Sequence, residues 1–221
     1  MDYKRITLLC GHYGSGKTNI AVNMAMDLRK QYERVAVADL DIVNPYFRTL
    51  DSRDDFEHAG IRLIVSAYAN SNVDIPALPQ DMYALTDDPA LHAVVDVGGD
   101  DRGAYALGRL SPAIRAENNY DMFLVINKYR PLTPDAESTL EIMHEIESAA
   151  SLPFTGIINN SNLAVETTPE TVLNSVSYAE EVSRLSGLPL VLTSAEASVA
   201  EGLYGKIDNV FPMHLQKRPV E

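Results

Sequence analysis

The chain holds one cysteine, Cys10, in 221 residues. A single cysteine excludes an intrachain disulfide, a Cys-x-x-Cys metal pair and the thiolate ladder of an iron–sulfur cluster. Cys10 lies in an apolar run, so a buried structural thiol is expected. Positive charge is also scarce: 18 Lys and Arg stand against 31 Asp and Glu, a formal charge of −13. This excludes a surface built to bind nucleic acid phosphates non-specifically, which needs clustered cations. One local anion site made of main-chain N–H groups and a lysine remains compatible with it. There is no run of 18 apolar residues, and no signal-length apolar region follows Met1-Asp2-Tyr3-Lys4-Arg5. Neither a membrane span nor an export signal is expected, and the expected location is the cytoplasm. Repeats, low-complexity tracts and linkers are lacking too. What is present, 46% hydrophobic residues, can fill the core of one α/β domain over residues 1–221.

Short apolar runs alternate with amphipathic stretches. Strands are expected at 6–10, 35–40, 61–65, 93–96, 122–127, 154–159 and 190–193. Helices are expected from 17 to about 30, over 134–149 and over 169–185, with Gly187 as the stop of the last. The stretch 70–88 and the tail from about 208 resist assignment. Strands that are apolar throughout, joined by helices, predict a three-layer fold with a mostly parallel sheet covered on both faces.

Between the first strand and first helix lies Gly11-His12-Tyr13-Gly14-Ser15-Gly16-Lys17-Thr18, followed by Asn19. This is the full G-x-x-x-x-G-K-[ST] pattern in its strand–helix context. Its glycines let the backbone wrap phosphate oxygens, and the helix N-terminus aims N–H groups and its dipole at an anion. Lys17 would bridge the β- and γ-phosphates, and the Thr18 hydroxyl would ligate Mg²⁺. The loop therefore predicts Mg-ATP, with residues 11–19 as its cradle.

Parallel sheets place ligands at the carboxyl ends of strands. Two strands here carry aspartates at that end: Asp39-Leu-Asp41, and Asp96-Val-Gly98-Gly99. Asp96 is the expected Walker B aspartate, on the magnesium side of the site. Asp39 would contact a Mg²⁺ water, and Asp41 would position the attacking water. Gly99 would bring a backbone N–H close to the γ-phosphate.

With these three blocks the chain resembles the MinD/ParA/nitrogenase-iron-protein branch of P-loop ATPases, the CobQ/CobB/MinD/ParA group, over roughly residues 4–200. The D-x-D directly after the second strand narrows it to this branch. The resemblance implies a slow ATPase whose two subunits sandwich ATP and whose hydrolysis switches binding of a partner protein. It implies Asp41 as the water-orienting and Asp39 as the Mg²⁺-associated aspartate. It also implies Asn160 at the end of Gly156-Ile-Ile-Asn-Asn160 as the adenine contact, with Asn159 second. One departure is that His12 stands where the branch has its signature lysine, and Tyr13 where a glycine is usual. A neutral imidazole is a weaker phosphate clamp.

Asn127-Lys128-Tyr129-Arg130 is similar to the guanine-reading Asn-Lys-x-Asp of GTPases. Guanine offers N1–H and N2–H₂, which need a carboxylate, whereas Arg130 only donates. ATP is thus expected over GTP. The alternatives are a GTP-binding protein of the same superfamily and an ATP-dependent small-molecule ligase or kinase of the dethiobiotin-synthetase kind. The segment Asn44-Pro-Tyr-Phe-Arg48 and the residues Asp100, Asp101 and Arg102 would contact the protein partner or the substrate.

Overall fold

A computed structural model describes residues 2–40, 52–65, 80–99 and 101–215, without the side chains of 101 and 102. Among the described residues eight strands form one sheet: β1 (Ile6–Cys10), β2 (Val35–Leu40), β3 (Arg62–Val65), β4 (His92–Val97), β5 (Tyr120–Ile126), β6 (Gly156–Asn159), β7 (Leu190–Glu196) and β8 (Val210–Met213). Their order is β3-β2-β4-β1-β5-β6-β7-β8, and every neighbouring pair is parallel. The helices are α1 (Lys17–Arg29), α2 (Arg53–Ala59), α3 (Ala84–Asp87), α4 (Asp101–Gly108), α5 (Ser111–Glu117), α6 (Ala136–Ala150), α7 (Pro169–Leu173), α8 (Val176–Ser186) and α9 (Ala197–Ala200).

The apolar strands alternate between two buried faces, as the period-2 geometry of a strand requires. In β1, Ile6, Leu8 and Cys10 join a core with Leu107 of α4, Met143 of α6 and Val182 of α8. Leu9 points the other way, into a core with Ile20, Met24, Ala25 and Leu28 of α1 and Phe56 of α2. This is the expected three-layer α/β fold. Cys10 is buried, and burial pushes its thiol up to about 12, with Lys17 opposing and Asp96 adding to the shift. It is the inert thiol that its context predicts. At the amino end of β1 the buried Arg5 donates through Nη1 to the carbonyls of Leu85, Asp88 and Leu91. It also pairs with Glu117, whose carboxyl it holds below the usual range.

Two expectations need correction. The helix expected over 169–185 is two helices. Ser175, fully buried between them, donates to the Val172 carbonyl at 2.7 Å and accepts from Asn159 Nδ2 at 2.9 Å. A serine bonded to its own preceding turn and to a strand side chain breaks the ladder. The sheet also does not close at 190–193: β7 runs on to Glu196, and β8 adds an edge strand beyond it. Pro212 concealed β8 in the sequence, since proline argues against a strand except at an edge. Among the described residues, no helix is long and apolar enough to cross a membrane.

Candidate functional site

The loop after β1 closes into a tight ring. Ser15 N donates to His12 O at 3.1 Å, and α1 begins at Lys17, with Gly16 as its left-handed cap at φ 90°. Gly16 has no room for a side chain, because a Cβ there would lie 2.2 Å from Asn160 Nδ2. The Lys17 ammonium is turned into the ring, donating to Gly11 O at 2.8 Å and His12 O at 3.1 Å. Ser15 is buried, and its Oγ has no hydrogen-bond partner among the described residues. A buried cation and a spare hydroxyl in a tight loop at the N-terminus of α1 suit a phosphate chain.

The acidic strand ends meet this loop. β2 and β4 pair with Asp39 opposite Asp96, so both carboxylates lie on one edge of the sheet. Both are buried, at 6% and 3% exposure. The Thr18 hydroxyl donates to Asp96 Oδ2 at 2.6 Å. One hydroxyl and two carboxylates at the mouth of a phosphate loop fit Mg²⁺, a hard cation that takes oxygen ligands and shares them with phosphates and water. Gly99 packs against the loop backbone: a Cβ there would meet Tyr13 N at 2.5 Å and Tyr13 Cα at 2.7 Å. Only glycine permits this approach to the loop. His12 is half-buried with Nδ1 2.9 Å from Tyr13 O, and Tyr13 is exposed. Asp41, the segment 44–48 and Asp100 lie outside the described residues, as do the side chains of Asp101 and Arg102.

Beside the loop opens a cavity of about 470 Å³, lined among others by Gly14, Gly16, Asn19, Arg130, Asn160 and Glu196. Small-molecule sites span roughly 300–1,000 Å³. Asn160 forms its wall. Its Nδ2 donates to Ser15 O at 2.6 Å, and its Oδ1 accepts from Ser194 Oγ at 2.9 Å. Asn159 faces away, its amide used by Ser175 and by the Ser161 N–H. Arg130 Nε donates to Gly14 O at 2.8 Å, so this residue props the loop. Asn127 is a buried junction whose Oδ1 accepts from Tyr129 N and Asn162 N.

Sequence reasoning did not single out Ser194, Asn162, Glu196, Met213 of β8 or Leu215 as cavity neighbours. The rule that ligands sit at strand carboxyl ends would have reached Ser194 and Glu196 had β7 been carried to its full length.

The family model for the CobQ/CobB/MinD/ParA nucleotide binding domain matches residues 6–187. Among solved structures, FtsY from Mycoplasma mycoides is similar, with TM-score 0.59, 17% identity, and coverage of 87% of this chain and 62% of that one. Cell division protein FtsY from Thermotoga maritima is similar at TM-score 0.54 and 16% identity, covering 86% and 61%. FlhF complexed with GTP and Mg²⁺ follows at TM-score 0.52 and 14% identity, covering 87% and 66%. At these identities the likeness is one of fold, and the chain spans about three fifths of the length of the two FtsY chains. No curated protein matches the chain.

Proposed function

The chain belongs to the CobQ/CobB/MinD/ParA nucleotide binding domain family, and we propose that it is a slow Mg-ATP hydrolase acting as a nucleotide-dependent switch or assembly factor for a partner protein. One observation carries this reading: the Thr18 hydroxyl is bonded to Asp96 at 2.6 Å beside a lysine buried in the phosphate loop. A loop that only turned the chain would have no use for a buried ammonium and a carboxylate-bound threonine at its helix end. Lys17 would hold the β- and γ-phosphates. Thr18 directly, and Asp96 and Asp39 through water, would hold Mg²⁺. The ion supplies neutralisation of phosphate charge when bound. Asp41 would orient the attacking water, and Gly99 would follow the γ-phosphate. Loss of that phosphate releases Gly99 and its neighbours, which is how a hydrolysis event can reach a partner.

Asn160 supports adenine as the base. After its bonds to Ser15 and Ser194, the carboxamide keeps one N–H and one lone pair. These complement a ring nitrogen and the exocyclic amine of adenine. GTP is the second reading, because Glu196 on the cavity wall is a carboxylate of the sort guanine needs. Competition separates the two: ATP is expected to resist displacement by equimolar GTP, and displacement would reverse the base assignment. Light scattering with a phosphate-release assay tests the switch. A mass that rises with Mg-ATP and slow release support it. An unchanged mass with turnover only on addition of a small-molecule acceptor would point to a ligase.

Asp96→Asn keeps the shape but removes the charge facing Thr18. Phosphate release is expected to fall roughly 10- to 100-fold, the usual cost of losing a group that orients a metal ligand. ATP affinity without Mg²⁺ should be unchanged. Undiminished release with Mg²⁺ present would remove Asp96 from the metal side of the site.

A further inference from the structure

We infer that the chain segment entering and leaving the end of β8 forms the outer wall of the base end of the cavity, and that Asn23 of α1 is the positioning residue that holds it there. The inference rests on the nucleotide reading above.

β8 lies parallel to β7 with Ala195 opposite Pro212 and Glu196 opposite Met213. The carboxyl end of β8 is therefore level with the strand ends that carry Asn160 and Ser194. Met213 and Leu215 both line the cavity. Met213 is buried against the α1 face of the sheet, while Leu215 stands exposed at the cavity mouth. They add to apolar lining from Ala164, Val165, Val172 and Ala195, while Asn160, Ser194 and Glu196 supply polar groups. A planar base, apolar on its faces and polar at its edge, suits such a mixed lining.

Beyond Met213 the chain crosses α1, and one side chain fastens it. The His214 N–H donates to Asn23 Oδ1 at 2.8 Å, and Asn23 Nδ2 donates to His214 O at 3.0 Å. The carboxamide copies the paired donor and acceptor of a neighbouring peptide. The same Nδ2 donates to Asn19 O at 2.8 Å, one turn earlier in α1. Asn19 lines the cavity and follows Thr18 directly. Asparagine is a poor helix former, and here its amide is spent on contacts that hold the wall. Asn23 thereby ties the base wall to the helix that carries the phosphate loop, across 191 residues of sequence.

The test separates base from phosphate. Full-length wild type, Asn23→Ala and Leu215→Asp are titrated with Mg-ATP and with Mg-tripolyphosphate, which has the phosphates without the base. Asn23→Ala is expected to weaken Mg-ATP on the order of tenfold while tripolyphosphate stays within about twofold, the scale of losing a bonded polar contact. Leu215→Asp, at an exposed position that folding tolerates, should weaken Mg-ATP alone as well. Equal losses for both ligands, or no loss for Mg-ATP, overturn the inference while leaving the nucleotide reading intact. If Asn23→Ala is unfolded at the assay temperature, Leu215→Asp decides alone. Wild type that binds neither ligand overturns the nucleotide reading itself, and this inference with it.

Discussion

Lys17→Ala is expected to show no saturable Mg-ATP binding at concentrations that saturate the wild type. Lys17 is 7% exposed, and its ammonium is already inside the loop, on the carbonyls of Gly11 and His12. An arriving phosphate chain replaces those neutral acceptors with charged ones, and charge-assisted bonds are about twice as strong. Without the ammonium, several negative charges would be held by N–H dipoles alone in a water-poor pocket. Removing one partner of a buried charge pair costs about 2–5 kcal/mol, so an affinity loss on the order of 100-fold or more follows. The fold should survive, since Lys17 is the first residue of α1 and alanine is the best helix former. Calorimetric titration together with a thermal melt reads both effects. Wild-type affinity in a folded Lys17→Ala protein would detach the loop from nucleotide binding.

Gly11→Ala is expected to damage the fold and the site together. Gly11 has φ 144°, a region that L side chains rarely adopt, and its added Cβ would lie 2.4 Å from the carbonyl oxygen of Val125. That oxygen belongs to β5, which is held between β1 and β6 in the middle of the sheet. It cannot withdraw without breaking ladder bonds on one side. Backbone strain of this sort costs about 1–3 kcal/mol, and the collision adds to it. A total of about 3 kcal/mol corresponds to a Tm lowered by roughly 6–12 °C in a domain of this size. Gly187→Ala is the control. It has φ 73° and nothing within 4 Å of its added Cβ, so it carries the dihedral penalty without the collision. Equal melting shifts for the two variants would show that the Val125 contact is harmless. A Gly11→Ala protein that still bound ATP normally would show that the loop tolerates displacement of its first residue.

The parts of the site that could be read from the sequence are those whose chemistry is local. Gly11 to Thr18 are consecutive, and their glycines, lysine and threonine have their meaning at fixed offsets. Asp39 and Asp96 could be placed at strand ends because an apolar run followed by an acid marks where a buried strand reaches the surface. Their pairing as register neighbours could not be read, because it depends on β4 inserting between β1 and β2. Arg130 was read through a guanine motif that it does not complete; its bond to Gly14 O spans 116 residues. Asn160 was placed at the base, and its hold on Ser15 O across 145 residues came only with the fold.

The sequence by itself determined a phosphate-binding loop between a buried strand and a helix, within a parallel α/β architecture. Its information lies in residue types at short separations, where hydrogen bonding and periodicity act directly. Only the tertiary structure decided which carboxylates share an edge, which of two adjacent asparagines turns to the cavity, and that a late strand returns to α1 at Asn23. Those outcomes depend on strand order and on contacts between residues more than a hundred positions apart. Many sequences with the same local signals could satisfy them differently.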